Sequence, residues 1–360
     1  MQEQLSQFFA DPKMRIIWGI AGVVAVLTAL AYRFGAKPPE DRTPEIRQIV
    51  QDATGIGRPT ARVVVWPFLV WISSLVCFSA GMILNAHSIL HRQGQSMLGW
   101  FLIAIFLATG ILPGNVKIRG ARWVAAKLNQ ADYDNAIARA GKLLRWFPET
   151  ARFHYIQGRT LRYAGRLAEA EQAFRTSIEK GQIRPTLEQA FRLECLGEVL
   201  LELGRFKEAT SAFEAATKIY PPYAGSYSGL AEVWLRQGRE GQRALLSVDK
   251  ALELRQNNVR TRHHDRHELA YMHANRAQAL ALLGRKEDAL SAIETASRVG
   301  DPEFIPGLAA TGWRCGVAYR ILDQMGAANE QFRKAVEMDP HGLYGKLANA
   351  AMHEQIESHR

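Results

Sequence analysis

A stretch of fourteen residues recurs along the last two thirds of the chain and sets the strongest limit on its fold. It reads LRYAGRLAEAEQAF at 161–174, LLELGRFKEATSAF at 200–213 and LALLGRKEDALSAI at 280–293. Apolar side chains recur in it at helical spacing, and a glycine stands at its fifth position each time. Such a repeat predicts a stack of similar helical units, because one unit cannot bury its apolar face alone.

The spacing within and between these units resembles that of the tetratricopeptide repeat. In the third unit a small residue, Ala209, follows the glycine by five positions, and Phe213, Ala216 and Pro221 follow in order. The resemblance implies that each unit is a helical hairpin with the glycine at its turn. It covers roughly residues 117–340 and predicts an all-α solenoid of about six hairpins. The turn glycines, at intervals of 39, 34 and 46 residues, are Gly165, Gly204, Gly238 and Gly284.

The repeat is irregular in three places. The sixth unit has Asp323 where the turn glycine would stand. About five extra residues around Pro185 separate units two and three, and about a dozen extra residues within 255–267 separate units four and five. We expect the extra residues either to lengthen helices or to form loops. The tail at 341–360 carries apolar side chains on one helical face, which predicts the capping helix that a solenoid needs.

Three apolar runs precede the repeats. They cover about residues 16–32, 63–84 and 98–112, and none contains a charged side chain. Because roughly 20 apolar residues cross a bilayer, we predict three transmembrane helices in an anchor at 1–114, followed by the solenoid at 115–340. The absence of ionisable groups within the runs favours an anchor over a transporter. A cleaved signal peptide is the alternative for the first run, although acidic residues in its leader are unusual for one.

Lysine and arginine residues are unevenly distributed around these runs. The loop at 33–62 and the segment just after the third run carry ten of them, whereas the leader and the second loop carry three. Basic loops remain on the cytoplasmic side. The sequence therefore predicts a multi-pass integral protein of the inner or cell membrane, with its N-terminus outside and its repeats in the cytoplasm. The formal net charge of +10 suits an anionic membrane face.

No pattern in the sequence indicates catalysis. It contains no G-x-S-x-G, Walker or H-E-x-x-H motif, and its three cysteines, Cys77, Cys195 and Cys315, are too widely spaced for a zinc site. Three histidines and one aspartate in residues 263–267 form the one candidate metal cluster, but neighbouring arginines would repel a cation. We therefore expect no enzyme activity, no cofactor and no metal.

The resemblance implies a binding surface, since partners of related solenoids bind the concave face formed by the first helix of each hairpin. The residues predicted to line this face are basic in the second unit and acidic in the third. We expect Arg159 and Arg162 to point to solvent. A partner segment of mixed charge is therefore predicted. The predicted groove residues are Arg152, Tyr155, Arg159, Arg162, Phe191, Glu194, Glu198, Tyr271, Asn275, Trp313, Arg314 and Arg320.

Some members of the family hold a peptide's terminal carboxylate with a set of Lys, Asn and Arg side chains. Only Asn275 and Arg314 match that set, so this grip is not expected here. A protein is the expected partner, and an anionic lipid surface is a second candidate. Nucleic acid is not expected, and the residues leave homo-oligomer formation open.

Together these features predict a membrane-anchored scaffold that recruits protein partners, or assists assembly of a membrane complex, at the cytoplasmic face. The alternative is an envelope-side assembly factor, with the repeats outside the cytoplasm, serving polysaccharide export, cytochrome maturation or secretion. No residue chooses between these processes.

Overall fold

The computed structural model describes Ser79 and residues 112–181, 187–238, 240–257 and 266–358. These residues form thirteen α-helices and no strand. Apart from Ser79 and Leu112, the three predicted membrane spans lie outside the described residues, as does most of the predicted anchor. None of the described helices is both long and apolar enough to cross a bilayer.

Twelve of the helices pair in chain order as six hairpins, and a thirteenth follows them. The first three hairpins are α1 (Leu112–Asn129) with α2 (Tyr133–Trp146), α3 (Ala151–Tyr163) with α4 (Leu167–Lys180), and α5 (Leu187–Glu202) with α6 (Phe206–Ile219). The next three are α7 (Ala224–Gln237) with α8 (Gly241–Asn257), α9 (Arg266–Leu282) with α10 (Lys286–Val299), and α11 (Ile305–Ile321) with α12 (Met325–Met338). The last helix is α13 (Leu343–Ser358).

The backbone turns within the hairpins follow the repeated glycines. All four predicted turn glycines have φ between 69° and 81°, the left-handed region that a residue without Cβ adopts freely. In the sixth hairpin Asp323 takes the same conformation at φ 58°, and in the first hairpin Ala131 takes it at φ 57°. The turn therefore has the same geometry in all six hairpins, with or without glycine.

In the second, third and sixth hairpins, a glycine on the first helix faces a phenylalanine on the second. A Cβ added to Gly158, Gly197 or Gly316 would lie within 3 Å of the ring of the phenylalanine sixteen residues later. Those phenylalanines, Phe174, Phe213 and Phe332, are fully buried. The helices can approach this closely because the glycines leave space for the rings.

The two insertions fall at places where the described residues break off. Residues 182–186 and 258–265 lie outside the described part, so their prediction as loops or longer helices is only partly visible. The helices on either side of the second insertion, α8 and α9, have 17 residues each, against 13 and 14 in the second hairpin. The insertion therefore coincides with longer helices.

The first helices of successive hairpins form an inner row, and this row closes on itself. Each of α3, α5, α7, α9 and α11 packs against the next, and α13 continues the row by packing on α11 and α12. The tail thus forms a helix that packs on the last hairpin. Helix α13 also contacts α3, and the Tyr133 hydroxyl donates a 2.6 Å hydrogen bond to Asp339, which joins the first hairpin to the end of the sixth.

Candidate partner-binding site

A buried polar network lies where the inner helices meet. The hydroxyl oxygen of Tyr344 on α13 accepts hydrogen bonds from Nη2 of Arg162 at 2.9 Å and from Nη2 of Arg314 at 3.3 Å. The same hydroxyl donates to Oε1 of Glu202 at 2.8 Å. The side chain of Tyr344 is completely buried. One hydroxyl therefore connects hairpins two, three and six to the last helix.

Ion pairs surround this tyrosine. Arg162 pairs with Glu198 and with Glu202, both at 2.6 Å, and Arg314 pairs with Glu232 at 2.8 Å. Together with Tyr344, these five residues are called the central network below. Its guanidinium and carboxylate groups come from α3, α5, α7 and α11, so the network satisfies charges from four hairpins inside the molecule.

The ion pairs shift the pKa values of Arg162 and Glu232. Burial favours the neutral form of Arg162, but Glu198 and Glu202 outweigh it and keep the pKa of this guanidinium well above its ordinary value. Burial acts to raise the pKa of Glu232, but Arg314 and Arg236 outweigh it and hold this pKa at about 2. Arg162 and Glu232 are therefore charged at neutral pH.

A cavity of about 40 Å³ adjoins the central network. This volume has room for about three water molecules or for one carboxylate-sized group. Its walls include the aromatic side chains of Phe191 and Tyr271 and the polar side chains of Arg159, Glu194 and Asn275. The inner face of the hairpins thus retains a small space lined by both aromatic and polar groups.

One of these wall residues lacks a carboxylate partner, and another has an unpaired hydrogen-bond acceptor. Among the described residues, no carboxylate lies within ion-pairing distance of the half-buried Arg159, whose guanidinium is 5.9 Å from the ring centre of Tyr155 and 6.0 Å from that of Phe304. Asn275 is 1% exposed, and its Oδ1 has no hydrogen-bond partner. The cavity therefore offers a cation and an amide to a bound group.

Glu194 also lies in the cavity wall, but its carboxyl group is not part of an ion pair with Arg159. The Tyr223 hydroxyl donates a short hydrogen bond to its carboxyl group. Burial, together with the nearby charges of Glu198 and Glu268, raises the pKa of Glu194 well above its ordinary value. A carboxyl group in this state does not neutralise Arg159 as a fully ionised one would.

His267, from the cluster that was considered and discounted as a metal site, also lines the cavity. Burial and the charges of Arg159 and Arg255 lower the pKa of this imidazole to about 3, and its ring packs 4.8 Å from that of Phe304. The other members of the cluster lie outside the described residues. Within the described part of the chain, no three His, Cys, Asp or Glu side chains are grouped as metal ligands.

The structure brings most of the predicted groove residues to one place. Those that line the cavity are Arg159, Arg162, Phe191, Glu194, Glu198, Tyr271 and Asn275. The remaining five do not line it. Tyr155 packs 5.4 Å from Phe191, Trp313 packs 5.8 Å from Tyr344, and Arg314 belongs to the central network. Arg152 is exposed, and Arg320 is half-buried, 3.9 Å from Glu354.

The predicted orientation of Arg162 is wrong. This side chain was expected to point to solvent, but it is 4% exposed and paired with two glutamates. Arg159 is half-buried rather than free in solvent. The reason is the closure of the inner row by α13, which covers the face that an open solenoid would expose.

Sequence analysis missed Glu202, Glu232 and Tyr344 as members of the site. Glu202 follows Glu198 by four residues on one helical face, which is a signal that was available. Glu232 stands at a groove position of the fourth unit. Tyr344 could not be found from the apolar spacing of the tail, because it lies one residue from the predicted face.

The repeat signature is also recognised by comparison with known proteins. A tetratricopeptide repeat family profile matches residues 122–185 and 196–259. The chain contains tetratricopeptide repeats over these residues. Such repeats are in general non-catalytic scaffolds for protein–protein interactions. No curated protein matches it.

Several solved structures match parts of this chain. One is a thermophilic protein from Thermus thermophilus, with 20% identity over 56% of this chain and 99% of that chain, and a TM-score of 0.43. PilF of Pseudomonas aeruginosa shows 15% identity over 66% of this chain and 99% of its own, with a TM-score of 0.41. Cut9–Hcn1 of the APC/C shows 13% identity over 86% of this chain and 51% of that chain, with a TM-score of 0.45. No role or partner is inferred from these likenesses.

Proposed function

We propose that this tetratricopeptide repeat protein is a membrane-anchored scaffold that recruits a protein partner at the cytoplasmic face. The site that receives the partner is the cavity beside the central network, and it takes an acidic side chain of the partner. The observation that carries this proposal is Arg159, a half-buried guanidinium without a carboxylate partner among the described residues.

The charge of the expected partner follows from which groups are already used. Glu198, Glu202 and Glu232 are paired with Arg162 and Arg314, so they no longer require a basic partner. The earlier expectation of a partner with mixed charge is therefore replaced by that of an acidic group. A carboxylate at Arg159 would form a charge-assisted hydrogen bond in a largely desolvated place, where such bonds are strong.

The anchor is proposed from the three apolar runs and the distribution of Lys and Arg around them. We test it by fusing reporters after Arg360, one that is active only in the cytoplasm and one that is active only outside. We expect the cytoplasmic reporter to be active and the protein to remain in membranes after a high-salt wash. Activity of the external reporter would instead favour the envelope-side alternative.

Partner recruitment is tested by capture of the full chain in mild detergent. Charge reversal Arg159→Glu, and the milder Arg159→Gln, should remove the partners that the wild-type protein captures. The matched control reverses Arg285 and Lys286, which lie at a hairpin turn. Loss of partners with the control variant but not with the Arg159 variants would contradict the cavity as the binding site. The far-ultraviolet circular dichroism of each variant checks that the helices are intact.

A further inference from the structure

We propose that one face of the first hairpin, the surface formed by Trp123, Arg139, Lys142 and Trp146, lies against anionic phospholipid headgroups. This inference rests on the proposed membrane anchor and names a second contact with the same membrane. The surface is called the hairpin-one surface below.

The first hairpin exposes large apolar side chains to an unusual degree. Trp146 is 75% exposed and Trp123 is 40% exposed, and Ile118 on the same hairpin is 54% exposed. Trp146 is the most exposed large apolar side chain among the described residues. An indole ring in water loses the stabilisation that burial usually provides. Exposed indole rings therefore indicate a contact surface for a partner with both apolar and polar character.

The tryptophans lie among cations rather than among other apolar groups. Arg139, Lys142 and Trp146 follow one another at helical spacings of three and four residues on α2, so they share a face. The Arg139 guanidinium lies 5.7 Å from the Trp123 ring centre, which connects α2 to α1 across the hairpin. Lys127 lies 5.8 Å from the same ring. The hairpin-one surface therefore combines indole rings with positive charge.

The charge of this hairpin is strongly one-sided. Residues 117–147 contain seven Lys and Arg side chains and two Asp side chains, a net charge of +5. Among the described residues, Lys127 alone of the seven pairs with a carboxylate, Asp132 at 3.0 Å. Six cations thus remain without an ion-pair partner inside the described chain, and a complementary surface must be anionic.

A lipid surface fits this chemistry better than a protein does. Tryptophan favours the headgroup region, and each Lys or Arg near an anionic leaflet adds to the attraction. The chain also keeps the hairpin near the predicted membrane boundary. Lys117 follows the end of the third predicted span by five residues, a reach of about 17 Å even when extended. The Lys117 ammonium lies 4.6 Å from the ring centre of Phe147, the neighbour of Trp146.

The experiment places an environment-sensitive fluorophore at position 146. Full-length protein with Trp146→Cys and Cys77→Ser is labelled and reconstituted into lipid discs. Cys195 and Cys315 are buried, and burial raises the pKa of both thiols, that of Cys315 to about 12, so they react slowly. The discs contain phosphatidylcholine alone or phosphatidylcholine with phosphatidylglycerol. We expect emission at shorter wavelength, and quenching by headgroup-labelled lipid, in the anionic discs, with both effects reduced by salt.

Two matched controls accompany this measurement. A fluorophore on Leu246→Cys in α8, where the native side chain is 63% exposed, should not respond to lipid composition. Reversal of Arg139 and Lys142 to Glu should abolish the response at position 146. Reversal of the exposed Lys207 and Lys218 on α6, which changes the charge equally, should preserve it.

The outcomes separate this inference from the proposed anchor. A protein that fails to enter the discs contradicts the anchor, and with it the basis of this inference. A protein that enters the discs but gives identical emission at position 146 in neutral and anionic lipid overturns the lipid contact alone. Emission that changes only when a captured protein partner is added would assign the hairpin-one surface to that partner, and would also overturn the proposal.

Discussion

At the scale of single residues, Arg162 and Arg314 on the inner face form ion pairs, whereas Arg159 has no carboxylate partner among the described residues. Arg162 and Arg314 are almost fully buried, a position that an unpaired cation could not hold without a large loss of solvation energy. Their three glutamate partners remove that loss. Arg159, one helical turn before Arg162, has no such partner among the described residues, and this difference is the reason that we propose a binding role for it.

We predict that Glu232 makes stability depend on pH in acid. Its pKa of about 2 lies below the ordinary value of 4.5, so its contribution is present above pH 4.5 and is lost as the pH falls from 4.5 to 2. About 2.5 pKa units correspond to a free energy on the order of 3 kcal/mol. Urea unfolding should show Glu232→Gln much less stable than wild type at pH 6, and the difference should shrink towards pH 2.5.

The exposed Glu214 on α6 provides the control for that series. Its change to Gln should alter stability little and by the same amount at each pH. A difference between Glu232→Gln and wild type that stays constant from pH 6 to pH 2.5 would show that the pairing with Arg314 does not stabilise the folded protein.

A second residue-scale prediction concerns the turn of the first hairpin. Ala131 has φ 57°, a conformation that is unfavourable for a residue with Cβ and that glycine adopts in four other turns. Ala131→Gly should therefore raise the free energy of unfolding by about 0.5–1 kcal/mol. Gly204→Ala, the reverse change at φ 75°, should lower it by a similar amount. Equal urea midpoints for both variants would contradict the turn geometry.

At the scale of helical elements, the second, third, fifth and sixth hairpins each contain a small and a large buried residue sixteen residues apart. Gly316 on α11 makes room for the ring of Phe332 on α12, and a Cβ there would lie 2.5 Å from the nearest ring carbon. In the fifth hairpin the same separation joins Ala277 to Ile293, both buried in one cluster. Alanine, which is larger than glycine, thus pairs with isoleucine, which is smaller than phenylalanine. The total side-chain volume of the pair is therefore similar in the two hairpins.

This complementarity predicts the outcome of a double-mutant cycle. Gly316→Ala should overpack the hairpin by about 1–3 kcal/mol, less about 1 kcal/mol gained from helix propensity. Phe332→Ile should lose buried apolar surface. Combining the two recreates the pair of the fifth hairpin, so the double variant should be more stable than the sum of the single changes, with a coupling of about 0.5–3 kcal/mol. Strict additivity would show that the two sites do not touch.

At the scale of the whole molecule, the last helix determines whether the inner face is open or closed. Helix α13 occupies the place of the next inner helix and brings Tyr344 to Arg162 on the second hairpin, 182 residues earlier in the chain. Closure buries much of the inner face of the described helices and leaves a small cavity beside Arg162. If this cavity is the binding site, we expect a partner to present a single group there rather than an extended segment.

We predict that Tyr344→Phe loosens this closure without unfolding the hairpins. The change removes the hydroxyl that bonds to Arg162, Glu202 and Arg314, at a cost of about 1–3 kcal/mol. Hydrogen–deuterium exchange should increase in α3 and α13 more than in α6 or α10. Tyr319→Phe on α11, a half-buried tyrosine, is the control. Faster exchange throughout the chain in Tyr344→Phe would indicate global destabilisation instead.

The sequence alone determined the local architecture of the repeats. The helices, the glycine turns and the small residues that face Phe174, Phe213 and Phe332 depend on contacts within about forty residues, and such contacts leave a periodic signal. The predicted membrane spans depend on run length and charge, which are also properties of the sequence. They remain predictions, since their residues lie outside the described part.

Only the tertiary structure decided how the groove charges are used. Arg162, Glu232, Arg314 and Tyr344 belong to different hairpins, and their meeting depends on small rotations between neighbouring hairpins that add up along the solenoid. No single repeat encodes that sum, so a motif analysis assigns these side chains to an open surface. The closed row buries them as partners of one another and leaves Arg159 without a counter-charge among the residues that the structure describes, because the position of α13 relative to α3 is set by all the intervening interfaces together.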